Sequence, residues 1–62
     1  MIKLIKELIK EEDSVAVKVF QITNGYSVSV WDLDADKPIP SFNICQTEEQ
    51  AIKKAEEIFG KM

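Results

Sequence analysis

Two hydrophobic periods divide the chain. From Ile2 to Glu12 the apolar residues Ile2, Leu4, Ile5, Leu8 and Ile9 fall three and four apart among lysines and glutamates. That spacing lines one side of an α-helix, so a helix over 2–12 is predicted, with its stripe packed on a core. A basic helix lying on a membrane surface is the weaker expectation, because Glu7, Glu11, Glu12 and Asp13 offset Lys3, Lys6 and Lys10. From Ser14 the period becomes two. Val15, Val17 and Val19 alternate with Ala16, Lys18 and Phe20, which predicts a strand.

The punctuation that follows predicts the rest of the order. Asn24-Gly25 is a strong hairpin signal, since both residues tolerate the positive φ of a type I′ turn. A second strand, rich in β-branched and aromatic residues, runs from Tyr26 to about Leu33. Pro38 and Pro40 have no backbone donor and suit an edge strand from about Ile39 to Cys45. In "TEEQAIKKAEEIFGK" Thr47 is the expected N-cap and Gln50 the capping-box partner. Glu48 and Glu49 suit the positive end of the helix dipole, and Gly60 is expected to close the helix in a left-handed conformation. The expected fold is α+β, ordered αβββα: a three-stranded antiparallel meander with both helices packed on one face, in a single domain over 1–62.

A two-residue Asn24-Gly25 turn also implies a register. Thr23 then faces Tyr26, Gln21 faces Val28, Val19 faces Val30 and Val17 faces Asp32. On the opposite face Ile22 meets Ser27, Phe20 meets Ser29, Lys18 meets Trp31 and Ala16 meets Leu33. The valine face, joined by Phe42 and Ile44, is the natural seat for both helices. Phe20, Ile22, Trp31 and Leu33 then stand on a face left open to solvent, with Lys18, Ser27, Ser29, Ser41 and Asn43. The competing arrangement has one helix cross over and cover them. Strand one is left with an unpaired edge.

Composition narrows the chemistry. Sixty-two residues hold one small core, and so short a chain buries only about 60% of its unfolded surface. The charged residues are eight lysines against eleven acids, with no arginine and no histidine, for a net charge of −3. A phosphate-binding surface usually carries a basic excess, so nucleic acid is disfavoured as a partner. Cys45 is the only cysteine and is read as a half-buried strand residue. No apolar run reaches the ~20 residues of a membrane span, and the N-terminus lacks a signal-peptide layout. A cytoplasmic location is therefore expected.

Asp32, Asp34 and Asp36 reproduce the first three ligand positions of an EF-hand loop. The motif next requires glycine where Lys37 stands and a bidentate glutamate where Asn43 stands. A solvated hairpin loop is the better reading, its charge available to a basic partner. Without histidine, Ser/His/Asp and Cys/His catalysis is excluded. The two glycines are assigned to a turn and a helix end, which leaves no phosphate-cradling loop. No enzyme activity, metal or cofactor is expected.

The order αβββα is similar to that of double-stranded-RNA-binding domains, whose second helix opens on a lysine cluster. Here the matching stretch, "TEEQA", is acidic, and acidic residues in a first turn repel phosphate. The span from Val15 to Phe59 also resembles HicB-type antitoxins. Tyr26, Val28, Val30, Asp32 and Leu33 match that family's alternating strand, and Thr47, Glu49, Ala51 and Ala55 match its helix. This resemblance implies a small acidic protein that neutralises a basic partner. The expected function is protein binding, as an inhibitor or antitoxin-like module. Phe20, Ile22, Trp31 and Leu33 are the expected apolar anchors, and Asp32, Asp34 and Asp36 the steering charges. The alternatives are a binder of single-stranded nucleic acid that stacks bases on the same aromatics, and a homodimerising structural domain.

Overall fold

The computed structural model describes residues 2–62; the side chains of Pro40, Ser41 and Phe42 lie outside the described set. Four strands and one helix follow in chain order. They are β1 (Lys3–Lys10), β2 (Val15–Ile22), β3 (Gly25–Asp32), β4 (Lys37–Cys45) and α1 (Glu48–Gly60). The strands form one antiparallel sheet in the order β1-β2-β3-β4. A 3₁₀ turn, Glu11–Asp13, joins β1 to β2. The shortest extent of the molecule, 17 Å, accommodates two layers, a sheet and one helix.

The fold is α+β, as the sequence implied, but the predicted N-terminal helix is a strand. A β-bulge explains the misleading spacing. The β1–β2 register pairs Leu4 with Phe20 and Lys6 with Val19, and Ile5 is the extra residue between them. An extra residue resets the alternation of faces. Ile5 and Leu8 therefore pack on the core, whereas Leu4 and Ile9 share the opposite face with Phe20 and Ala16. Apolar positions three and four apart thus arise from a bulged strand that is apolar on both sides. Pairing with β1 also covers the edge that the sequence reading left free on strand one. The outer edges of the sheet are β1 and β4.

The β2–β3 hairpin is as expected in kind and different in register. Ile22 pairs with Gly25, Val19 with Val28 and Val17 with Val30. Thr23 and Asn24 form the two-residue connection instead of Asn24 and Gly25. Positive φ is carried by Gly25, at +147°, and not by Asn24, so the type I′ turn is not formed. A Cβ on Gly25 would stand 2.6 Å from the carbonyl oxygen of Cys45, so the glycine also admits β4. Relative to expectation each residue of β2 slides two positions along β3. An even slide preserves the faces.

Val17, Val19 and Val28 are fully buried together with Ala51 and Ala55 of α1. Tyr26, Val30, Cys45, Ile58, Phe59 and Met62 pack around them. The helix residues recur at positions 51, 55, 58 and 59, a single stripe of period 3.6, and Met62 just beyond the helix joins them. Thr47 caps the helix as expected: its Oγ1 accepts the Gln50 N–H at 3.2 Å. The Gln50 side chain reaches back to the Gln46 N–H, at 3.3 Å. Gly60 is the last helical residue rather than a left-handed cap, and Lys61 follows it with right-handed angles.

Candidate functional site

The helix lies on the valine face alone, and the other face of the sheet carries the aromatics. The ladders arrange that open face in rows across the strands. One row is Ile9, Ala16, Trp31 and Pro38; another is Leu4, Phe20, Ser27 and Ile44. Between them lies a polar row that includes Glu7, Lys18 and Ser29. The placement of Ile44 here corrects the expectation that it joins the valine face; Cys45 does so instead. The pairing of Ser27 with Ile44 and of Tyr26 with Cys45 sets the faces of β4 opposite to expectation, and the irregularity between Ser29 and Trp31 slides the register by two positions, which leaves those faces unchanged. The expectations for Ser41 and Phe42 lie outside the described residues. Asn43 is paired with Val28, on the helix side of the sheet, and is exposed.

The central side chains of this face hold one another in place. The Trp31 and Phe20 rings are 6.2 Å apart between centroids and inclined at 46°, within the range of favourable aromatic pairs. The Trp31 indole N–H donates to Ser29 Oγ at 3.0 Å. Lys18 Nζ stands 4.1 Å from the centroid of the Trp31 ring and 3.4 Å from a Glu7 carboxylate oxygen. A cation over an indole contributes about 0.5–1 kcal/mol at such a half-exposed site. The face therefore presents a fixed tryptophan and a neutralised charge pair.

Beside these groups is an open hollow of about 420 Å³. Ser27 and Ser29 of β3 lie between Phe20 and Ile22 on one side and Pro38 and Ile39 on the other. Trp31 and Ile2 complete the lining. The five large apolar side chains left exposed among the described residues are Ile2, Leu4, Ile9, Ile39 and Ile44, at 40% to 70%. Every one of them belongs to this face or lines the hollow. Exposed apolar patches of this kind are common at interaction sites.

Of the anchors expected from sequence, Phe20, Ile22 and Trp31 are brought together. Leu33 is not. It lies beyond the end of β3, where its N–H donates to the Ser14 carbonyl at 2.9 Å, and it does not line the hollow. Asp32, Asp34 and Asp36 sit at the β3–β4 turn. Asp32 Oδ1 accepts the N–H groups of Asp34 at 3.0 Å and Ala35 at 3.3 Å, and Asp36 adopts a left-handed φ of 54°. The first aspartate thus builds the corner, leaving Asp34 and Asp36 exposed. Among the described residues no group of three carboxylate or thiol side chains stands close enough to hold a metal ion.

Sequence reasoning missed the contribution of β1. Ile2, Leu4 and Ile9 extend the apolar face, and their signal was hidden by the helical spacing a bulge imitates. It also missed that Glu11, Glu12 and Asp13 stand at the same end of the sheet as the aspartate turn, joined to it by the Ser14–Leu33 hydrogen bond. No helix among the described residues is long and apolar enough to cross a membrane. No family model matches the chain, and neither a curated protein nor a solved structure matches it.

Proposed function

We propose that this protein is a non-enzymatic protein-binding module that acts as an inhibitor or antitoxin-like neutraliser of its partner. The reading is carried by one observation: the large exposed apolar side chains are gathered on the sheet face opposite the helix, around Phe20 and Trp31. Aromatic anchors beside a hollow are the usual energetic centre of a protein interface. Asp34 and Asp36, with Glu11, Glu12 and Asp13, place negative charge at one end of the sheet, where it steers a basic partner and raises the association rate more than the affinity. The competing role, stacking of single-stranded nucleic acid, asks for a positive groove. Here Lys18 is the cation at the aromatics, and Glu7 neutralises it.

The test is capture of a partner by the immobilised protein, followed by measurement of its rates. Trp31→Ala is expected to weaken binding by about tenfold or more. The double variant Asp34→Lys, Asp36→Lys is expected to slow association several-fold at low salt and little at high salt. An oligonucleotide that bound at low salt, released with a steep salt dependence and failed to bind Trp31→Ala would replace this reading with the nucleic-acid one.

A further inference from the structure

The open face is matched to itself. In the β2–β3 ladder each large residue on this face stands beside a small one: Trp31 beside Ala16, Phe20 beside Ser27 and Ile22 beside Gly25. The long Lys18 is likewise beside Ser29. A two-fold axis running along the strands, midway between β2 and β3, would lay β2 of one copy over β3 of another with rows in register. Phe20 would then enter the hollow above Ser27 of the second copy and Ile22 would lie over Gly25, while Ala16 is already buried within its own chain and offers Trp31 no recess. On the flanks, Leu4 of β1 would meet Ile44 of β4.

We infer that the occupant of the open face is a second copy of this chain, packed sheet on sheet, with the helices outside. The inference rests on the protein-docking reading above and names the partner. Three observations carry it. The alternation of Phe20 with Ser27 and of Ile22 with Gly25 fits the face to its own two-fold image. The described ladder positions of the face carry one acid and one base, Glu7 and Lys18, so two such faces do not repel, although the whole chain has a net charge of −3. With the axis along the strands, Lys18 meets Ser29 rather than another Lys18.

The area suffices. Four strands about 4.8 Å apart and eight or nine residues long, at about 3.3 Å per residue, present roughly 500 Å² per face. Two faces bury on the order of 1,000 Å², the lower bound for a specific interface, so the dimer should dissociate on dilution. A heterologous partner that uses this face must displace the second copy.

Trp31 is the only tryptophan and lies in the contact, so its fluorescence reports on this face. Sedimentation of the full chain over a range of concentrations is expected to show a monomer–dimer equilibrium. Over the same range Trp31 emission should shift to the blue and acrylamide quenching should fall. Ser27→Glu, which sets a charge beneath Phe20 of the second copy, should weaken the dimer by about tenfold or more. The exchange variant Phe20→Ser, Ser27→Phe keeps the set of side chains and should regain association. A dimer whose formation leaves Trp31 quenching unchanged would overturn the inference, since the contact would be elsewhere. A chain that stays monomeric while a different protein is held through Trp31 would overturn it too, leaving the docking reading intact. A monomer that holds nothing through Trp31 would remove both.

Discussion

The two faces of this sheet are built by the same strands from alternating residues, yet they are made differently. The covered face is centred on valines, with Ile5, Leu8 and Tyr26 packed around them. Val17, Val19 and Val28 meet Ala51 and Ala55, and all five are fully buried. The open face mixes tall and small, with Trp31 beside Ala16 and Phe20 beside Ser27, and it includes a lysine–glutamate pair. The small Ala51 and Ala55 of α1 are seated on Val17, Val19 and Val28. Both faces carry large apolar residues, so hydrophobicity alone does not distinguish the covered one; the alanine stripe of α1 meets the side rich in valine.

The comparison makes unequal demands on substitutions. The largest effect is expected on the covered face: Val28→Ala leaves a cavity beneath the helix and should cost about 2 kcal/mol, or roughly 10 °C in Tm, read by thermal unfolding. Unchanged Tm would mean that α1 is not seated on the valines. Next comes Gly25, the place where the open side of the ladder resembles a core. Gly25→Ala confronts both a positive φ and the Cys45 carbonyl at 2.6 Å, so a loss of about 1–2 kcal/mol is expected in denaturant titration. The smallest effect belongs to Ile44→Ser. Ile44 is exposed on the open face, and the stability of the single chain at low concentration should change by less than about 0.5 kcal/mol. A larger loss would show that the open face contributes to folding in its own right.

The legible parts of this chain were those where local chemistry and tertiary context agree. Thr47 with Gln50 announced the start of α1, the alternating valines announced β2, and the prolines at positions 38 and 40 announced an edge strand. The aspartates were correctly read as a corner, because Asp32 closes the turn on its own following N–H groups. The stretch Lys3–Lys10 was illegible for a stated reason: a bulge at Ile5 shifts the alternation by one residue, and the resulting string carries helical spacing. The candidate site inherited the same division. Phe20, Ile22 and Trp31 were legible as a set because parity along β2 and β3 survives an even change of register. Leu33 was lost with the end of β3, and Leu4, Ile9 and Ile44 were added by pairings that no single strand encodes.

What the sequence determined by itself were the alternating strands, the capped helix with its alanine stripe, the absence of histidine chemistry and the grouping of the two central aromatics. What only the tertiary structure decided was that the first segment is a fourth strand, that the hairpin closes on Thr23-Asn24, and that the isoleucines of both outer strands join the aromatics. The physical reason is range. Caps, turns and alternation are written within one segment of the chain, whereas a bulge or a register is chosen by hydrogen bonds to a second strand.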